Sequence, residues 1–410
     1  MAGYRLLETF LYETSLDGEK WRKNMEISKS NKKNIIAFYL PQYHTIPEND
    51  KWWGEGFTEW TNTKKAVPLF EGHEQPKTPL NEDYYDLSDV TVMERQAQLA
   101  QEYGVFGFCY YHYWFKDGKK LLEKPIEQML ADNKVDIPFC LCWANENWTK
   151  NWDGGNREII MEQDYGSVDD WRKHFAYLLQ FFKDNRYITW KNRPILIIYK
   201  PEQIINFNKM VDCFNELSIE SGFDGIIVLS QYPNTFYGDR NDDMKIDYQI
   251  KFQPVMSLQT KVYSNIDLDS ISQKLKISIK KQLKDVQLFQ SLLNARRKKF
   301  QESIVKQLEI NDYDEAWDII LHKEPFDDSV ISGGFTSWDN TARNKNGMMF
   351  KGASPDKFEK YMTELLRMPS GMNLVFVNAW NEWAEGAYLE PDERYGYAYL
   401  EALKKAVDSQ

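Results

Sequence analysis

The sequence predicts an α/β fold, a parallel (β/α)8 TIM barrel with a helical insertion between its sixth and seventh strands. Short β-rich runs alternate with longer helical patterns from residue 34 onward, and there are about eight such runs. Most of the runs are continuously apolar, as expected of strands covered on both faces. Alternating β and α elements imply parallel strands joined by right-handed crossovers, and eight such units close most naturally into a barrel. A chain of 410 residues has room for two domains, but one barrel of ~250 residues or more with insertions fits as well. An open doubly wound sheet is the runner-up. No GxGxxG or GxxxxGK[ST] pattern follows the first run, so nothing favours a nucleotide-binding fold.

Residues 1–33 are polar and lysine-rich toward their end, and read as an extension or small helix before a catalytic barrel at 34–410. The predicted strands are Ile35–Tyr43, Gly104–Phe115, Ile137–Trp148, Pro194–Pro201, Gly225–Pro233, Lys245–Pro254, Ser332–Arg343 and Leu374–Gly386. Helices are predicted near 89–103, 123–133, 167–184, 203–221, 356–368 and 394–407. In the first of these, Ser88 or Asp89 can cap, apolar residues recur at helical spacing, and Gly104 can terminate. A long polar helical stretch at roughly 267–320, containing Ala295-Arg-Arg-Lys-Lys-Phe300, exceeds what a crossover needs. It predicts an inserted helical hairpin at about 257–325. A solvated charged helix is the plain account of it; a peripheral contact through 267–307 with a lipid headgroup or partner is the alternative.

A net charge of -11 argues against nucleic acid, whose binders neutralise phosphates. The four cysteines, Cys109, Cys140, Cys142 and Cys213, give no CxxC pair and no His-Cys zinc spacing, so neither metal nor other cofactor is expected. The N-terminus lacks the basic start and apolar core of a signal peptide, and no run approaches ~18 apolar residues. A cytoplasmic protein is the resulting expectation. Aromatics are abundant at 15%. Those at predicted strand ends offer flat ligand surfaces, although core packing accounts for about half of the total.

The eighth run ends Asn378-Ala-Trp-Asn-Glu-Trp-Ala-Glu-Gly386, placing Glu382 and Glu385 among Trp380, Asn381 and Trp383. Charged residues enter such surroundings only when paired or working. On a continuing strand the two glutamates would face opposite ways. In a helical turn, i and i+3 become neighbours, and Gly386 would ease that turn. Close like charges raise one carboxyl pKa, leaving one acid and one base for work on a sugar. Capping a helix or bonding the rim is the plain alternative.

Barrel ligands meet the C-terminal strand ends, where polar and aromatic residues gather here. The first run supplies Tyr43 and His44, with Trp53, Glu59 and Trp60 on the loop beyond. The second supplies Tyr111 and His112, the third Trp143, Asn145 and Glu146, and the seventh Trp338, Asp339 and Arg343. Indole and phenol faces stack on sugar rings, while the polar groups bond hydroxyls. His44 and His112 serve equally well as satisfied structural groups. Glu146 binds a sugar hydroxyl, bonds structurally or takes part in catalysis. Asp339 and Arg343 form an internal salt bridge, or hold a charged sugar or leaving phosphate. Glu59, Trp53 and Trp60 bind substrate or pack a lid, and Glu390 orients Glu385 or binds substrate.

In this order, FYLPQYHTIPENDKWWGEGFTEW, FGFCYYHYWF, LCWANENWTKNWDG, SWDNTAR and NAWNEWAEGAYLEP resemble the WbsX-like proteins of bacterial surface-polysaccharide loci. Those proteins are related to glycoside hydrolase family 99, the endo-α-mannosidases. The resemblance covers about 34–407, excepting 257–325, and independently implies the barrel. The family-99 Asn-Glu-Trp-x-Glu-Gly motif matches Asn381, Glu382, Trp383, Glu385 and Gly386. It implies that Glu382 is the base on a substrate 2-hydroxyl, which attacks the anomeric carbon to give a 1,2-anhydro sugar. Glu385 is then the acid/base, with retention of configuration. The expected function is retaining hydrolysis of glycosidic bonds in an oligosaccharide or surface-type polysaccharide. A glycosyltransferase of O-antigen or capsule assembly is the main rival, without a recognisable nucleotide-sugar or DxD-type motif to support it. A non-catalytic glycan-binding barrel would not need both glutamates.

Overall fold

The computed structural model of the chain describes residues 25–26, 32–149, 159–231, 243–264, 308–324, 326 and 329–410. Eight strands form its centre: β1 (Asn34–Tyr39), β2 (Val105–Trp114), β3 (Phe139–Trp143), β4 (Arg193–Ile198), β5 (Ile227–Ser230), β6 (Tyr248–Ile250), β7 (Val330–Phe335) and β8 (Leu374–Asn378). Each pairs in parallel with the next, and β8 pairs with β1 through Leu374 and Asn34, which closes the barrel. All eight lie within or overlap the predicted runs. Closure leaves no open edge, and helices cover the outside, so both strand faces are buried.

The described helices are α1 (Pro47–Trp53), α2 (Glu59–Lys65), α3 (Val90–Glu102), α4 (Lys124–Ala131), α5 (Val168–Phe182), α6 (Phe207–Glu220), α7 (Val255–Ser264), α8 (Tyr313–His322), α9 (Pro355–Leu365) and α10 (Ala398–Asp408). The six predicted helices correspond to α3, α4, α5, α6, α9 and α10. Asp89 is the cap of α3, its carboxylate accepting from the Thr91 N–H at 3.0 Å. In α5, Ser167 and Asp170 form a capping box, and Trp171, His174, Phe175, Leu178, Phe181 and Phe182 bury one helical face.

Two features depart from the sequence reading. The segment Tyr313–His322, inside the predicted insertion, is α8 and serves as the crossover helix before β7. Its buried Trp317 stacks on Phe335 of β7 with ring centroids 5.7 Å apart. Residues 265–307, which include the basic cluster, lie outside the described residues. Within the predicted extension, Met25–Glu26 forms a strand parallel to Ile188–Thr189, alongside the start of β4.

The loop between β1 and α3 carries α1 and α2 and lies over the C-terminal mouth of the barrel. At Gly333 a Cβ would sit 1.9 Å from the Lys251 carbonyl oxygen, so the neighbouring chains meet there only because that residue is glycine.

Candidate active site

Beyond β8 the chain leaves the barrel and folds into a braced turn, in which Asn381–Glu382 pairs antiparallel with Ala387–Tyr388. The Trp380 N–H donates to the Phe38 carbonyl at 2.8 Å. The Asn381 side chain clasps β1, accepting from the Leu40 N–H at 2.7 Å and donating to the Leu40 carbonyl at 3.0 Å. A 3-10 turn follows at Trp383–Glu385, ended by Gly386 at φ 61°. This left-handed position suits glycine, and it is the turn that the i, i+3 spacing anticipated. The Asp339 N–H donates to the Glu385 carbonyl at 2.6 Å, and the Ser337 hydroxyl donates to the Gly386 carbonyl.

The turn aims both glutamates at one guanidinium. Arg343 donates from Nη2 to Glu382 Oε2 at 3.2 Å, from Nη1 to Glu385 Oε1, and from Nε to Glu59 Oε1 at 2.7 Å. Sharing one guanidinium keeps the carboxyls of Glu382 and Glu385 close, well under the ~10 Å upper end at which two carboxyls can flank a glycosidic bond. Glu59 itself is enclosed, at 0% exposure. It starts α2, its own N–H donating to the Gln42 carbonyl at 3.0 Å.

Three carboxylates around one cation cannot all ionise cheaply in a buried site. Burial and then the charge of Glu385 push the Glu382 carboxyl up to about 8, against the pull of Arg343. Burial also raises the Glu385 carboxyl, with Arg343 opposing. The guanidinium is held charged by Glu59, Glu385 and Glu382, which outweigh its own burial. Burial thus opposes ionisation of both glutamates, and their shared Arg343 only partly offsets it.

Tyr111 and Tyr113 of β2 face the barrel interior. Tyr111 stacks on Phe38 at 5.8 Å and accepts from Gln231 Nε2 at 2.8 Å. The Tyr113 hydroxyl is raised by burial and then by the charge of Glu382. Tyr113 was not among the residues singled out in the sequence. The signal for it was the two-residue period of a strand, which puts it on the same face as Tyr111.

The same period corrects His112, which faces outward into the helix layer and pairs with His174, Nε2 to Nε2 at 2.9 Å. Burial drives its imidazole down to about 3. Trp143 also faces that layer, packing on His174 at 4.7 Å. Trp380 is enclosed against Phe108 at 5.1 Å, away from the glutamates. Several other candidates act as struts. The Tyr43 hydroxyl donates to the Asn381 carbonyl and accepts from the Trp383 N–H at 3.2 Å. Trp60 packs on Tyr43 and Trp383 and donates from its indole N–H to the Tyr85 carbonyl at 2.8 Å. Asn145 ties the end of β3 to the backbone of Lys200.

Glu390 accepts from the Trp383 indole at 2.7 Å, the Tyr85 hydroxyl at 2.8 Å and Gln96 at 2.6 Å. It braces Trp383, which also stacks on Tyr388 at 3.8 Å. Asp339 does not pair with Arg343. Its carboxylate contacts His73 and Gln75, each at 2.9 Å, and accepts from the Thr341 N–H at 3.1 Å. An i, i+4 pair meets on an α-helix, but here a 3-10 turn at Asn340–Ala342 sends the two side chains apart.

Trp338 and Asp339 line a cavity behind the glutamate turn, while Trp53 and Trp148 line a small recess of about 50 Å3 beside α2. The buried His44 imidazole bonds the Pro41 carbonyl through Nδ1 at 2.9 Å. Glu146 is the more exposed partner of an ion pair with Lys200. Among the described residues, no three His, Cys, Asp or Glu side chains are grouped to hold a metal ion. No helix among them is long and apolar enough to cross a membrane.

A family model described as Glycosyltransferase WbsX matches residues 35–403. The uncharacterized protein WxcX of Xanthomonas campestris pv. campestris is 37% identical over 380 residues, covering 91% of this chain and 49% of its own length. The chain thus spans about half the length of the curated relatives it matches. Among solved structures, a "Glycoside hydrolase-like protein" superposes with a TM-score of 0.55 at 11% identity, covering 92% of this chain and 95% of that one. The GH99 endo-alpha-mannosidase from Bacteroides thetaiotaomicron gives a TM-score of 0.49 at 12% identity, covering 93% and 98%.

Proposed function

This chain belongs to the Glycosyltransferase WbsX family, and from that premise we propose that its barrel breaks or transfers a glycosidic bond with Glu382 and Glu385. The coarse function is that of a carbohydrate-active enzyme acting on a glycan. The observation that carries the finer reading is the buried cluster at the barrel mouth, where Arg343 gathers Glu382, Glu385 and Glu59 and one proton is retained.

Hydrolysis with retention is the reading we favour. Glu382 removes the proton of the 2-hydroxyl as O2 attacks the anomeric carbon. The bond to the leaving oxygen breaks, and that oxygen takes the proton of Glu385. Glu385 then deprotonates a water that opens the 1,2-anhydro sugar at the anomeric carbon, and Glu382 returns its proton to O2. This division of roles follows from the match of Asn381 to Gly386 with the family-99 motif. It also sets a requirement on the site. A proton retained by the pair must sit on Glu385 once the leaving oxygen is seated against it. A proton shared by two carboxyls on one guanidinium needs only one short relocation.

The family description favours a second reading, glycosyl transfer, in which a sugar hydroxyl replaces the water at Glu385. Both readings are tested by assaying the unmodified protein, Glu382→Gln and Glu385→Gln on α-linked oligosaccharides, with and without nucleotide-sugar donors. Donor-free turnover lost in both variants supports hydrolysis. Turnover that requires a donor supports transfer and overturns hydrolysis. Glycan binding without turnover by the unmodified protein overturns both.

A further inference from the structure

Behind the Trp383–Gly386 turn lies a cavity of about 260 Å3 that none of Glu382, Glu385, Arg343 and Glu59 lines. Its volume is close to the ~300 Å3 lower end of typical ligand pockets. Trp338, Phe350, Tyr388 and Tyr399 contribute aromatic surface, and the buried carboxylate of Asp392 contributes an acceptor, that of Asp339 being taken up by His73, Gln75 and the Thr341 N–H and hydroxyl. Asp392 accepts from the Tyr388 hydroxyl at 2.8 Å and the Tyr395 N–H at 2.6 Å. A carboxylate offers about four lone-pair sites, so these two bonds leave it able to accept from a further hydroxyl.

Charge narrows the occupant. The lining carries Glu71, Glu74, Asp339 and Asp392 against Lys77 and Lys351. Glu74 is drawn to Arg394 as well as to Lys77, the latter at 3.7 Å, His73 faces Asp339 at 2.9 Å, and Lys351 lies over the Phe70 ring, so Asp392 and Glu71 carry the excess. An anionic group would meet an excess of negative charge there, while hydroxyls or an ammonium would not. Aromatic walls beside the Asp392 carboxylate suit a pyranose, whose C–H faces stack and whose hydroxyls donate, and the buried Trp338 indole N–H offers a donor to a ring or hydroxyl oxygen.

We propose that this cavity is a second glycan-binding site, taking one uncharged or amino sugar unit on the far side of the turn that carries Glu385. The inference rests on the glycan-processing reading and extends it to a site separate from the glutamate cluster. The two places share a wall. Ser337 and Asp339, which line the cavity, hold the backbone carbonyls of Gly386 and Glu385, and the same loop continues to Arg343. A sugar seated against Asp392 also bears on Tyr388, which bonds that carboxylate and stacks on Trp383 of the turn.

Saturation-transfer NMR on the full chain tests this, with mannose, glucose, N-acetylglucosamine and glucosamine as probes and glucuronate as the anionic control. At least one of the four probes should give saturable binding that Glu385→Gln retains, and glucuronate should give none. Ala353→Trp, which fills the cavity, and Tyr395→Ala, which opens its side, should each weaken binding tenfold or more while the thermal midpoint stays within a few degrees. Binding by none of the four probes overturns the proposal. So does binding that survives both cavity variants, binding that disappears in Glu385→Gln, or preference for glucuronate. Sugar binding that follows the expected pattern in a protein without turnover counts against the catalytic reading and supports this one.

Discussion

At Glu382, burial and the charge of Glu385 both oppose ionisation, and Arg343 only partly offsets them. If the pair works as acid and base, Glu382→Gln and Glu385→Gln should each lower kcat by ~10²–10⁴, the usual contribution of a positioned acid or base. Circular dichroism should show both variants folded, since glutamine resembles the protonated carboxyl in shape. The rate should fall as pH rises through about 8, the value to which the Glu382 carboxyl is raised. Arg343 pulls both glutamate carboxyls downward, so Arg343→Gln should move that alkaline limb to higher pH. The same change leaves buried carboxylates uncompensated, a loss of ~3–5 kcal/mol when one partner of a buried pair is removed. Protonation relieves that loss, so chemical denaturation should show it larger at pH 9 than at pH 6. An unmoved alkaline limb in Arg343→Gln would contradict its place in the cluster.

The turn after β8 converts a sequence spacing into a site. Gly386 sits at φ 61°, where a Cβ would also lie 3.1 Å from the Asp339 backbone nitrogen. Gly386→Ala should therefore cost ~1–2 kcal/mol in backbone conformation alone and lower kcat more than it raises KM. Equal kcat in the variant would detach the turn's geometry from the chemistry. Much of this element was readable: the i, i+3 glutamates, the glycine and the strand before them all stand in the sequence. What it hid was sidedness. Tyr111 and His112 are adjacent, yet a strand sends one toward the glutamates' barrel interior and the other into the helix layer. Trp143 and Trp380 are core aromatics for the same kind of reason. The partnership of Arg343 with Glu59 joins residues 284 positions apart, and no local pattern records that closure.

Across the whole molecule, the eight apolar runs and six helical patterns were enough to give the barrel, because both periodicities are local. Helices α1, α2 and α7 were not predicted, and α8 was missed as a crossover because its sequence merges with the polar stretch before it. Buried titratable groups also predict a global pH response. Glu382, Glu324 and Glu390 are raised from 4.5 to about 8, 7 and 7, so the folded chain holds extra protons in that window and loses stability as pH rises through it. His44, His112 and His174 are lowered from 6.5, so the unfolded chain holds extra protons below that value and stability grows as pH rises toward it. The two trends oppose each other between 4.5 and 6.5, and above 6.5 only the glutamate trend remains. The thermal midpoint should be nearly flat across the first interval and fall from 6.5 toward 8; a midpoint that rises over the second interval would refute this. The central claim, that Glu382 and Glu385 perform the chemistry, is tested most directly by following the anomeric proton by NMR as an α-linked oligosaccharide is turned over without a donor. The first-formed product should keep the α configuration, and neither Glu382→Gln nor Glu385→Gln should form it at more than about a hundredth of the unmodified rate. A β product, or undiminished turnover in either variant, would contradict it.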